Sequence, residues 1–114
     1  KQMSALSRKP QVLVATPGRL LDHMQRGNIR LGTVHTMVLD EADEMLNMGF
    51  VKDVTRIIEA TPDERQMVLF SATTNQDVLT IAWKYQHDPI EVTVEARSAA
   101  DCAVRHFDRT EQEN

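Results

Sequence analysis

The tetrad Asp40-Glu41-Ala42-Asp43 stands directly behind the apolar run Met37-Val38-Leu39, so three carboxylates gather where a buried strand should end. In open parallel sheets the ligand crevice lies outside the carboxyl ends of the strands, the one place where such charges escape desolvation. A nucleotide hydrolase needs one carboxylate to hold magnesium, a second to orient the attacking water, and donors that cradle the phosphates. Asp40, last on its strand, suits metal coordination, directly or through water, and Glu41 suits water activation. At a strand end the chain is already turning, so both neighbours can reach one site despite the alternation of side chains. Asp43 is too far along to share the ligand role and is placed to accept hydrogen bonds from a neighbouring loop. A solvated turn is the plainer use of such residues, and position and identity together favour the chemical one.

A loop for Asp43 to meet is available. Ser71-Ala72-Thr73 follows the apolar run Met67 to Phe70, so two hydroxyls emerge at the same edge of the sheet as the tetrad and can relay a shift. The same hydroxyls could cap a helix beginning near Asn75, and the two uses are compatible. Thr16-Pro17-Gly18-Arg19 ends another apolar run and opens a helix. Free N–H groups, the positive end of the helix dipole, a glycine that lets a ligand backbone approach, and the Arg19 fork together suit a phosphate; alone the stretch reads more readily as an ordinary capped helix start, and only the company of the other motifs favours the phosphate site. Because it belongs to a different strand from the tetrad, it is assigned to a nucleic-acid backbone, contacted without base reading. The donors for nucleotide phosphates are missing. Gly27 and Gly32 have the spacing of a phosphate-binding loop, but Thr33-Val34 follow where a lysine is needed.

Four strand-sized apolar runs must position these groups: Val12 to Ala15, Met37 to Leu39, Met67 to Phe70 and Ile90 to Val94. The first three are continuous, as strands covered on both faces require, and helix-length segments separate all four, which implies a parallel α/β sheet. Thr16 as N-cap and Pro17 at the first position start one helix, with Leu20, Leu21 and Met24 facing inward and Gly27 closing it. A second helix runs from about Val51 to Ala60, ended by Thr61-Pro62-Asp63, and a third from Asp77 to Gln86, ended by Asp88-Pro89. From Ala96 onward the pattern dissolves into a linker-like stretch with a faint alternation through Val104 and Phe107.

The bulk properties narrow the partners. With 114 residues and a formal net charge of -4, the chain is one domain at most and carries no polybasic run, so any nucleic-acid contact is local. Cys102 has no disulfide partner, and no apolar stretch is long enough to span a bilayer, which makes a reducing, cytoplasmic setting the default expectation. His23, His35, His87 and His106 lack metal-ligand spacing and receive no role.

Taken together, Ala15-Thr16-Pro17-Gly18-Arg19-Leu20-Leu21-Asp22, Val38-Leu39-Asp40-Glu41-Ala42-Asp43-Glu44-Met45-Leu46, Gly49-Phe50 and Leu69-Phe70-Ser71-Ala72-Thr73 closely resemble the DEAD-box ATP-dependent RNA helicases, in order and spacing, over about Val12 to Val94. Glu44 to Phe50 looks most like the bacterial branch. The resemblance implies a partial RecA-like parallel sheet with flanking helices, lacking the phosphate-loop strand. It assigns 1–95 to the C-terminal part of the first RecA-like domain, and 96–114 to the interdomain linker and the start of a second. It implies ATP and Mg2+ as cofactors, Asp40 for magnesium, Glu41 for the hydrolytic water, and Asp43 bonded to Ser71 and Thr73. Ser71-Ala72-Thr73 would couple hydrolysis to unwinding, and Thr16 to Arg19 would grip the RNA backbone. Thr74-Asn75 stands where Met-Pro often follows the serine-alanine-threonine motif. Without a phosphate loop or second domain, these residues alone are expected not to hydrolyse ATP. The absent central strand is expected to leave the Met67 to Phe70 edge unpaired, inviting self-association or a rearranged sheet. The competing reading is a non-catalytic module, derived from a helicase domain, that binds RNA or a protein.

Overall fold

The apolar runs behind His35 and Arg65 become strands because each supplies the other's hydrogen-bonding neighbour. In the computed structural model, which describes residues 10–94 and the backbone of 103–107, β1 (Thr36–Leu39) pairs in parallel with β2 (Gln66–Ser71). Thr36 stands beside Gln66 and Leu39 beside Leu69, so the two strands end at one edge. β3 (Ile90–Val94) and β4 (Ala103–Phe107) complete a sheet of order β1-β2-β4-β3. β4 runs antiparallel to both its neighbours.

Among the described residues, α1 (Pro17–Gln25) precedes β1, α2 (Ala42–Asn47) and α3 (Val51–Ala60) connect β1 to β2, and α4 (Gln76–Tyr85) connects β2 to β3. Glycine closes α1 and α2 in the same way. Gly27 and Gly49 take left-handed φ angles of 74° and 94°, and the residue after each returns its N–H to the third-last helical carbonyl, Asn28 to His23 and Phe50 to Met45. This motif satisfies carbonyls that the helix end would otherwise leave bare. α2 was not foreseen in the sequence, although Ala42, Met45 and Leu46 have helical spacing and Asp43 and Glu44 favour a helix start.

One core forms between the sheet and three helices. Met67 and Leu69 of β2 and Leu39 of β1 meet Leu46 of α2, Val54 and Ile58 of α3, and Val78, Ile81 and Ala82 of α4. Alternation puts Met37, Leu39, Met67 and Leu69 on the covered face. Val38, on the other, is 56 % exposed. The expectation of two covered faces therefore fails at β1 but not at β2, where Val68, on the same face as Val38, is buried; α1 packs against α3.

Two further expectations are overturned. Val12 to Ala15 forms no strand: it lies outside the sheet with Val12 and Val14 80 % and 91 % exposed, because no described segment offers its backbone a partner. Nor is the edge of β2 unpaired. Val68 to Ser71 pair with Phe107 to Val104, so residues expected in a linker and second domain cover the edge that was expected to invite self-association. The rearranged sheet was the other outcome foreseen. Cys102 and the remainder of 96–114 lie outside the described residues, as do Lys1 to Lys9.

The ends of the core are tied by polar groups. Buried Arg65 donates to the Pro62 and Asp63 carbonyls and to the Tyr85 carbonyl at the end of α4, a place where a cation is favoured. Gln86 donates to the Met67 carbonyl. The Tyr85 hydroxyl donates to Glu59 at 2.8 Å, joining α4 to α3. Burial, then this bond to a carboxylate, push the Tyr85 phenol above its ordinary value of 10.0. The folded state therefore favours the neutral phenol. Its contribution is fully present below about pH 10 and is lost as pH rises through the raised folded value. Tyr85→Phe should cost about 0.5 kcal/mol in urea denaturation at pH 7, and the difference from the unsubstituted chain should disappear in strong alkali.

Candidate functional site

Parallel register brings the two chemical motifs together. Leu39 and Leu69 are partners, so Asp40 leaves β1 beside Phe70 and the chain of β2 delivers Ser71 one step later. Asp40 and Glu41 are exposed at this edge, whereas Asp43, in the first turn of α2, is buried. The Thr73 hydroxyl donates to Asp43 Oδ2 at 3.1 Å. That bond joins residues thirty apart and closes the tetrad onto the serine-alanine-threonine loop.

Ser71 behaves differently from the expectation that both hydroxyls would reach Asp43. Its hydroxyl donates to the Thr73 carbonyl at 2.7 Å, a local bond of the kind serine makes when its side chain turns back on its own loop. Ser71 therefore shapes the loop that carries Thr73. Ala72, between them, is exposed. Neither hydroxyl caps α4. Asn75 does, accepting the Val78 N–H on Oδ1 at 2.9 Å. An asparagine just before Gln76-Asp77-Val78 is itself a recognisable helix start.

Glu41 occupies a left-handed conformation, φ 52° and ψ 46°, which costs a residue with a Cβ roughly 1–2 kcal/mol. Its N–H donates to Asp40 Oδ1 at 2.9 Å. The turn from β1 into α2 is thus made in two residues, Asp40 and Glu41, and it sets both acidic side chains outside the strand end. Backbone strain of this kind accumulates where a site requires a particular side-chain direction. No sequence signal marks it, since glutamate is not a residue that favours this region.

A second bond runs beside the Asp43–Thr73 contact. Asn75 Nδ2 donates to Asn47 Oδ1, at the end of α2, at 3.4 Å. Sequence reading gave neither asparagine a role.

Thr16 to Arg19 stands apart from this cluster. Thr16 takes the N-cap position and Pro17 the first turn, as expected, but the Thr16 hydroxyl makes no capping bond. Gly18 and Arg19 are exposed. Among the described residues, nothing beyond its chain neighbours and its own helix backbone lies within 4 Å of where a Gly18 Cβ would stand, so packing does not demand glycine there. Among the described residues no hydrogen bond joins this segment to the tetrad or to Ser71–Thr73. An open depression lined by Thr33, His35, Pro62 and Glu64 lies at the opposite end of β1 and β2 and contains none of the expected site residues.

Comparison with known proteins agrees with the motifs. Residues 1–81 match the model of the DEAD/DEAH box helicase family. The chain is 50 % identical over 97 residues to the DEAD-box ATP-dependent RNA helicase CshA of Geobacillus kaustophilus, covering 85 % of this chain and 21 % of that protein. It is also 50 % identical over 98 residues to the ATP-dependent RNA helicase DeaD of Mycobacterium tuberculosis, covering 86 % of this chain and 17 % of the relative. Among solved structures it resembles a DEAD box protein from the hyperthermophile Methanococcus jannaschii, with TM-score 0.63 and 52 % identity over 66 % of this chain and 21 % of that one. The yeast DEAD-box splicing factor Prp28 gives TM-score 0.70 and 36 % identity over 75 % of this chain and 20 % of its own. The chain thus spans about a fifth of the length of these relatives.

Proposed function

From the premise that this chain belongs to the DEAD/DEAH box helicase family, we propose that it serves within an ATP-dependent RNA helicase, as part of the first of two RecA-like domains. The observation that carries this reading is the Thr73–Asp43 bond. It links the edge that would face nucleotide to the loop that would transmit a change in it.

The donor set fits magnesium of the kind that accompanies nucleotides. Among the described residues no three acidic, histidine or cysteine side chains gather as a cage, and magnesium ordinarily keeps several waters and takes one or two carboxylates plus substrate phosphates. Asp40 would hold it, and when bound it would neutralise charge developing on the transferred phosphoryl group. Exposed Glu41, aimed outward by its left-handed backbone, orients the attacking water and accepts its proton. Ser71 holds the loop, and Thr73 conveys the position of Asp43 to α4. The whole enzyme binds ATP, works in the cytoplasm and separates short RNA duplexes locally.

The Thr16–Arg19 segment grips the RNA backbone. Free N–H groups at the start of α1, the space over Gly18 and the exposed Arg19 guanidinium suit a phosphate and offer nothing that distinguishes bases. The test uses a longer protein containing these residues. Duplex separation should require ATP, and Arg19→Ala should weaken RNA binding equally for all sequences and reduce the salt slope by about one unit. Unchanged RNA affinity would remove Arg19 from the interface, and duplex separation without nucleotide would overturn the coupled mechanism.

A further inference from the structure

Asp43 and Asn47 lie four residues apart on α2, hence one above the other on a single face. Opposite them, Thr73 and Asn75 are two residues apart in the loop before α4, and both side chains reach α2. The two pairs meet as parallel rungs, Thr73 to Asp43 at 3.1 Å and Asn75 to Asn47 at 3.4 Å. We propose that Asn47 and Asn75 are positioning residues which, as a second rung, hold the start of α4 at a fixed angle to α2.

One hydrogen bond is a pivot: the loop can swing about it while the bond survives. Two bonds a helical turn apart remove that rotation, so a displacement of α2 is passed to α4 as a movement of the whole element. The Asn75 amide is suited to this because both its ends are engaged. Oδ1 accepts the Val78 N–H, which starts α4, while Nδ2 reaches Asn47. An amide with one acceptor and two donors can serve both partners only in this orientation. The Asn75 side chain is therefore at once the cap of α4 and its tie to α2.

The inference rests on the functional reading above only for its consequence in unwinding, and its geometry can be tested separately. Asn47→Ala removes the second rung alone. Asn75→Ser keeps a capping oxygen and loses the donor. Asn47→Asp keeps the acceptor and should behave like the unsubstituted protein. In the 114-residue chain, amide hydrogen exchange over residues 76–79 should quicken about threefold or more in the first two variants, the factor an ordinary neutral hydrogen bond supplies. The Asn47→Ala, Asn75→Ser double variant should exchange no faster than Asn75→Ser. In a longer protein with helicase activity, the same two variants should lower duplexes separated per ATP hydrolysed by a similar factor, with the hydrolysis rate kept within twofold. Unchanged exchange in Asn47→Ala, or effects that simply add in the double variant, would overturn the second rung. Altered exchange with unchanged duplexes per ATP would overturn its role in coupling, and a longer protein that separates no duplex would overturn the helicase reading instead.

Discussion

Replacing Glu41 by Gln should slow ATP hydrolysis by the helicase about a hundredfold or more, while ATP binding stays within a few-fold of the original. The reasoning is local. Glu41 is exposed at the strand edge and held there by a left-handed backbone, and Gln has the same size and the same backbone demands. What is lost is the group that, on the proposed function, takes a proton from water. Asp40, which would hold the cation, is untouched, so binding should survive. Single-turnover hydrolysis and titration with a fluorescent ATP analogue separate the two quantities. Equal loss of both would show that Glu41 binds nucleotide and does not activate water. Glu41→Gly is the companion variant. It relieves a conformation that costs a side chain about 1–2 kcal/mol and should raise thermal stability, yet hydrolysis should still fail. That outcome would separate the strain at this residue from the carboxylate it displays.

The second large effect is on stability. Leu69 is completely buried, between Leu39 across the parallel pair and the helices above. Leu69→Ala should cost about 2–5 kcal/mol, the lost transfer energy together with the cavity left behind. Against the usual total of about 5–15 kcal/mol for a domain, that is enough to leave a substantial part of the chain unfolded. Val38→Ala provides the control. Val38 is one residue from Leu39 on the opposite face and 56 % exposed, so its truncation should shift the urea midpoint by no more than about 0.5 kcal/mol equivalent. Comparable losses for the two would mean that the far face of the sheet is covered in solution. The same strand edge carries Ser71 two residues after Leu69, so a collapse around Leu69 would also displace the loop that bears Thr73.

Much of this was legible in the residues. The helix expected from about Val51 to Ala60 forms over those residues, because Val54, Ile57 and Ile58 repeat with helical period and Thr61-Pro62 cannot continue it. Met37–Leu39 and Met67–Phe70 are read as strands because continuous apolar runs of that length have few other uses. The approach of the tetrad to Ser71–Thr73 follows from parallel pairing, since strands that run the same way in register must deliver their following loops to one edge. The family, too, was visible in the order and spacing of motifs.

What escaped depended on neighbours. Val12 to Ala15 has the composition of a strand, but composition supplies only a tendency to extend, and a strand exists only where another backbone satisfies its N–H and C=O groups. At the Met67 to Phe70 edge the converse holds, and of the two expected outcomes the rearranged sheet is the one found. Ala103–Phe107 has little periodicity of its own and becomes a strand by filling the gap between β2 and β3. The left-handed turn at Glu41 and the amide pair Asn47–Asn75 are matters of angle and approach, fixed by how α2 leaves β1 and how α4 follows β2. The sequence by itself determined which groups this protein has for chemistry and which strand ends carry them, because residue type and period are local. Tertiary structure alone decided which hydroxyl meets which carboxylate and which edges find partners. Those outcomes depend on distances between segments thirty residues apart, and no local rule encodes them.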